Sequence, residues 1–159
     1  MDGIVVNPYM GDDVMAPMTS YPEKGIVTLV KTSNPGGGVV QDVLTKEGIP
    51  LWQHVLKLTV GRWNSVGNMI PVLSSTADID LDEARKLIPD ETPILLAGVG
   101  AQGGSRDSLR KLLNSKRSGV FVNSSRGFIY AETKGHKTWQ DAIVKASELM
   151  KNELNEERK

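Results

Sequence analysis

Short, mostly apolar runs alternate with longer stretches in which apolar residues return every three or four positions. The runs are Ile4 to Val6, Gly25 to Val30, Met69 to Leu73, Ile94 to Ala97 and Gly119 to Val122. Each has the length of a strand and stops abruptly at small or polar residues or at proline, as at Asn7-Pro8. A mostly apolar run that does not alternate at every second position predicts a strand buried on both faces, the habit of parallel sheets. The stretches between them predict helices. Leu51 to Trp63 carries a stripe of Leu51, Val55 and Leu58, widened by Trp52, Leu56 and Trp63, with His54 at its edge. A second helix follows a cap at Asp78 or Asp80 and turns Leu81, Ala84, Leu87 and Ile88 inward. Ser105 to Leu113 presents Leu109, Leu112 and Leu113. Lys137 to about Glu153 presents Trp139, Ala142, Ile143, Ala146, Leu149 and Met150. Gly11 to Pro22 has a possible cap at Asp12 but only a short helical pattern before Pro17.

Strand and helix thus repeat as βα units, which argues for an α/β fold with a parallel sheet. An eight-unit barrel takes about 250 residues. This chain of 159 residues, with five strand starts, has the length of a partial TIM (β/α)8 barrel of about five units. A single domain is expected over residues 1–151, followed by a charged tail, 152–159, that frays. A strand this close to Met1 leaves little lead-in before the first buried element.

Composition narrows the function. Lys and Arg total 19 and so do Asp and Glu, so no basic excess favours nucleic acid or an anionic membrane. Cysteine is absent, which removes disulfides and thiolate metal sites, and His54 and His136 lack metal-ligand spacing. Asp78, Asp80, Asp82 and Glu83 read better as a helix cap with a favourable dipole pattern than as a metal site. No apolar run approaches the roughly 20 residues of a membrane span, and the N-terminus lacks the pattern of a signal peptide. A soluble, cytoplasmic protein is expected.

Candidate chemistry sits in the loops after the strands. The fourth opens into Gly98-Val-Gly-Ala-Gln-Gly-Gly104 and the fifth into Asn123-Ser-Ser-Arg126, both at the carboxyl ends of neighbouring parallel strands. Glycines let backbone N–H groups approach an anion, a helix N-terminus adds positive potential, and Arg126 offers bidentate bonds, so the pair suits a phosphate. The plainer alternative is that the glycines only make the turn. The loop from Lys31 to Gly38 carries the same two readings, a flexible connection or a binding loop in which Ser33 presents its hydroxyl.

These residues also carry a resemblance. GVGAQGG followed some twenty positions later by VNSSRGFIYA resembles the last two strands of orotidine 5′-phosphate decarboxylases in their longer bacterial form. Asp2-Gly-Ile-Val-Val-Asn-Pro-Tyr-Met-Gly11 resembles that family's fourth strand and Val30-Lys-Thr-Ser-Asn-Pro-Gly36 its fifth. The motifs fall in family order from Asp2 to Ala131, which sets the chain against strands four to eight of the family barrel. The resemblance implies decarboxylation of orotidine 5′-phosphate to uridine 5′-phosphate in pyrimidine biosynthesis, without metal or organic cofactor. It implies that Gln102 and Arg126 hold the phosphate with backbone N–H groups of Gly103 and Gly104, and that Ser33 addresses the pyrimidine edge.

It also implies aspartates and lysines on the second and third strands, in a D-x-K-x-x-D motif, the aspartates disfavouring the substrate carboxylate and the lysine stabilising and protonating the carbanion. That motif does not occur in the 159 residues, and Lys24, Lys31, Lys46 and Lys57 have no aspartates at that spacing. The family tends to carry Gly-Ala-Thr where this chain has Ser74-Ser75-Thr76. The expectation is therefore the phosphate- and base-binding part of such an enzyme, inactive alone and completed by an amino-terminal barrel part or by self-association. The alternatives are a non-catalytic remnant or nucleotide-phosphate binding module and, apart from the resemblance, an ordinary small α/β binding domain.

Overall fold

The structure is a computed structural model that describes residues 1–99 and 107–159. Its strands are β1 (Gly3–Val6), β2 (Gly25–Leu29), β3 (Met69–Ser74), β4 (Ile94–Ala97) and β5 (Val120–Asn123). They form one parallel sheet in sequential order, β1-β2-β3-β4-β5, with Ile26 beside Ile4 and Met69, and Leu95 beside Val72 and Phe121. The helices are α1 (Asp12–Met15), α2 (Gly38–Gln41), α3 (Leu51–Val60), α4 (Leu81–Lys86), α5 (Asp107–Leu112), α6 (Arg126–Ile129) and α7 (Trp139–Glu156). A doubly wound sheet reverses its strand order at a switch point. Here each unit adds beside the last without reversal, so the chain is a partial (β/α)8 barrel.

The two faces of the sheet differ. Ile26, Thr28 and Val30 of the β2 segment, Met69 and Leu73 of β3, and Ile94 and Leu96 of β4 are buried beneath the helices. Val30, Leu73, Ile94 and Leu96 pack with Trp52 and Leu56 of α3, Leu81 and Ala84 of α4, and Leu109 and Leu112 of α5, while Ile26 and Met69 pack with Val6, Met15 and Trp63. The concave face, the lumen side of a closed barrel, carries Val5, Val27, Leu29, Val72 and Leu95 along one cavity. It is apolar but incompletely covered: Val5 is 61% exposed and Phe121, on the edge strand β5, 59%.

Local chemistry accounts for some of the element ends. Asp80 caps α4, its Oδ1 accepting from the backbone N–H groups of Asp82 (2.9 Å) and Glu83 (3.1 Å). Thr138 caps α7 by accepting from Asp141 N–H at 3.1 Å. Asp12 is the first residue of α1 and not its cap; its carboxylate accepts from the Trp63 indole at 2.8 Å and pairs with Arg62. The α3 helix stops at Gly61 before reaching Trp63, and its buried residues are Trp52, Leu56 and Thr59. The expected Leu51, Val55 and Leu58 flank that line half-buried.

The tail from Asn152 remains helical to Glu156, past the end expected near Glu153. Arg117 donates to the carbonyls of Arg158 (2.6 Å) and Glu157 (2.8 Å), and Arg110 pairs with Glu157. Free carbonyls at a helix C-terminus favour such a cation. Arg117 holds this position with φ at 53°. On α7, Ala142 is buried while Trp139 and Leu149, expected to face inward, are exposed. No helix among the described residues is long and apolar enough to cross a membrane.

Candidate functional site

The carboxyl ends of the strands are drawn together by their loops. After β3, Ser74 Oγ accepts from Thr76 N–H (3.1 Å) and hydrogen-bonds Thr76 Oγ1 (3.0 Å), a local turn made possible by the hydroxyls. Ser75 donates to the Ala97 carbonyl twice, from its backbone N–H at 2.9 Å and from Oγ at 3.0 Å. The Ser74-Ser75-Thr76 sequence thus ties the β3 loop to the end of β4.

Gly98 follows directly, with φ at 88°. A Cβ there would lie 3.2 Å from Ser75 Oγ and 3.3 Å from both Ser33 Cβ and Thr76 Cγ2. The loops after β2, β3 and β4 therefore converge on a position that needs glycine for its dihedral and for its space. Gly98→Ala should destabilise the protein by about 1–3 kcal/mol, combining left-handed backbone strain with steric contact. Urea unfolding of the two proteins measures this, and an unchanged midpoint would contradict the convergence.

Two adjoining hollows occupy this end. One, of about 250 Å³, has an apolar floor of Val5, Val27, Leu29, Val72 and Leu95 and a rim of Ser33, Gly98, Asn123, Ser125 and Arg126. The other, of about 600 Å³, is lined by Lys31, Ser33, Asn34, Asp42, Thr76, Asp78 and Arg126. Ser33 and Arg126 line both. A compartment with an apolar floor beside a polar one with a few convergent groups is the form of a small-molecule site. Arg126 opens α6 and is exposed, with no ion-pair partner among the described residues. A further cavity of about 390 Å³, lined by Leu109, Val120, Met150 and Leu154, lies beneath α7 on the helix side of β5.

Of the residues the motifs single out, Ser33 and Arg126 are brought to one place although far apart in sequence. Gln102, Gly103 and Gly104 lie outside the described residues. Gly98 and Val99, the last described residues before them, line the smaller hollow. Asp78 lines the larger cleft and Asp80 is spent on the α4 cap.

Sequence reading missed the environment of Lys31. Its side chain is almost fully buried, 5% exposed, and its Nζ sits 2.5 Å from Asp42 Oδ1. A lysine ammonium out of water requires such a partner. The partner stands on the residue after α2, where no motif spacing points to it. Gln41 was also missed; it exchanges two hydrogen bonds with Thr32.

A partial (β/α)8 barrel whose strand-end loops enclose a two-compartment cleft defines the class. Its relatives are orotidine 5′-phosphate decarboxylases. The chain is 36% identical over 153 residues to the orotidine 5′-phosphate decarboxylase of Bordetella avium, covering 96% of this chain and 56% of that protein. Among solved structures, a Leishmania donovani UMP synthase superposes with a TM-score of 0.79 at 32% identity, covering 99% of this chain and 33% of that one. The Leishmania donovani OMP decarboxylase gives a TM-score of 0.75 at 30% identity, covering 98% and 56%. The chain spans about half the length of the curated relatives it matches. No family model matches the sequence. The resemblance read from the motifs thus extends over nearly the whole chain.

Proposed function

We propose that the chain is the phosphate- and base-binding part of an orotidine 5′-phosphate decarboxylase, corresponding to strands four to eight of the barrel. The observation that carries this reading is the meeting of Ser33 and Arg126 on one cleft. Arg126 binds the nucleotide phosphate by charge-assisted hydrogen bonds, with Gln102 and the backbone N–H groups of Gly103 and Gly104 completing the cradle. Ser33 addresses the pyrimidine edge. Binding energy gathered at the phosphate, remote from the bond that breaks, stabilises the closed complex and is used at the ring. The lysines and aspartates that act on the carboxylate and carbanion belong to strands one to three and come from an amino-terminal barrel part.

Calorimetry with uridine 5′-phosphate tests the binding role. Arg126→Ala should weaken binding by on the order of 1.5–3 kcal/mol, roughly ten- to a hundredfold in Kd. Equal affinity for the two proteins would sink the phosphate assignment. A second reading is a nucleotide-phosphate binding module without catalysis. Both readings share the binding site and part over turnover.

A further inference from the structure

We propose that Gln41, with Asp42 beside it, is a positioning residue that clamps the β2 loop and sets the Ser33 hydroxyl in the cleft. The proposal rests on the reading of Ser33 as the group that meets the pyrimidine.

Beyond the end of a strand the backbone loses its ladder, and a loop holds one shape only if other groups satisfy it. Here the residues on both sides of Ser33 are held from α2 or within the loop. Lys31, before it, is paired with Asp42. The backbone N–H of Thr32 donates to Gln41 Oε1 at 3.2 Å, and Gln41 Nε2 donates to Thr32 Oγ1 at 2.8 Å. Thr32 Oγ1 in turn donates to Oδ1 of Asn34, the residue after Ser33. One glutamine amide therefore uses both its ends on the residue next to the candidate base contact. Ser33 itself lines both hollows.

The glycines that follow give a second, independent observation. A Cβ on Gly37 would stand 3.1 Å from Gln41 Oε1, 3.1 Å from Thr32 Oγ1 and 3.4 Å from Asn34 Oδ1. A Cβ on Gly38 would stand 2.6 Å from Asp42 Oδ2. Gly37 has φ −61° and ψ −32°, ordinary helical dihedrals open to any residue. Its glycine is thus explained by room for the clamp and not by backbone freedom. Gly37 and Gly38 thus serve close packing of α2 on the loop, where sequence alone left a flexible connection and a binding loop both open.

The test uses the full chain, with amide hydrogen exchange read residue by residue and two probes, uridine 5′-phosphate and ribose 5-phosphate. The second keeps the phosphate and lacks the base. Gln41→Ala should speed exchange at Thr32 and Ser33 and weaken uridine 5′-phosphate about tenfold while leaving ribose 5-phosphate within about twofold. Gly37→Ala, which keeps every clamping side chain but crowds it, should act in the same direction. Gln41→Glu retains the acceptor for Thr32 N–H and should restore its protection. Unchanged exchange in Gln41→Ala, or equal weakening of both probes, would overturn the positioning role. If the loop loosens but wild type and Ser33→Ala bind both probes alike, the base-contact reading of Ser33 fails and the proposal with it, whereas the Arg126 phosphate reading survives. Loss of ribose 5-phosphate binding in Arg126→Ala reports on that reading separately.

Discussion

Mixed with an amino-terminal barrel part that carries the D-x-K-x-x-D motif, the 159-residue chain should decarboxylate orotidine 5′-phosphate; alone it should not. The reaction leaves an electron pair on a ring carbon with no cofactor to delocalise it. The transition state must then be stabilised by charges fixed in place: carboxylates that disfavour the substrate carboxylate and an ammonium beside the developing carbanion. The cleft offers Lys31 and Arg126 as cations, but Lys31 is buried against Asp42 and Arg126 is assigned to the phosphate. A single preorganised electrostatic group is commonly worth about 10²–10³ in rate. Removal of a whole lysine–aspartate set should therefore lower turnover by at least about 10⁴-fold. Loss of orotidylate absorbance follows the reaction. Turnover by the chain alone would place the catalytic groups within these residues, and absence of turnover with the amino-terminal part present would favour the binding module.

Purified by itself, the chain should associate with itself or aggregate. A closed barrel has no edges and fills its interior with layers of side chains. Here β1 and β5 are the edges of the sheet, and each presents unpaired N–H and C=O groups along one side. Ile4 and Val5 on one edge strand and Phe121 on the other are 46%, 61% and 59% exposed. Covering one such side chain gains about 1.5–3 kcal/mol, and an added strand also satisfies the edge amides, so together they favour association at micromolar concentration. Light scattering coupled to size exclusion measures the mass. Phe121→Lys should shift the distribution toward monomer, because a charge on an edge strand opposes further pairing. An amino-terminal barrel part should do so by forming a one-to-one complex. A monodisperse wild-type monomer with a cooperative thermal transition would count against open edges and favour a domain that closes on itself.

Much of the architecture was legible because its causes are local. The five apolar runs are strands because short runs rich in β-branched and other apolar residues, ended by polar residues or proline, favour extended chain. Asp80 caps α4 because a short side-chain acceptor placed before a helix meets its free N–H groups whatever the surroundings. Sequential βα units, too few for eight, implied a barrel sector, and the strand order agrees. The order of loop motifs directed attention to Ser33 and Arg126.

Where several faces or partners were locally equivalent, only the tertiary structure chose. The apolar positions of α3 span two adjacent stripes of similar quality, and packing against the sheet buried Trp52 and Leu56. On α7 the contact line covers Ala142 and leaves Trp139 and Leu149 in solvent, a distinction absent from the helical period. The clamp of Gln41 on Thr32 and of Asp42 on Lys31 follows from the fold-back of α2, which no spacing rule encodes. The contact of Ser33 with the loop of Gly98, and its sharing of a cleft with Arg126, depend on the register that brings β2, β3, β4 and β5 side by side. Sequence determines dihedral preference and burial residue by residue. Which distant loops face each other is decided by how the strands pair and how the helices pack across them.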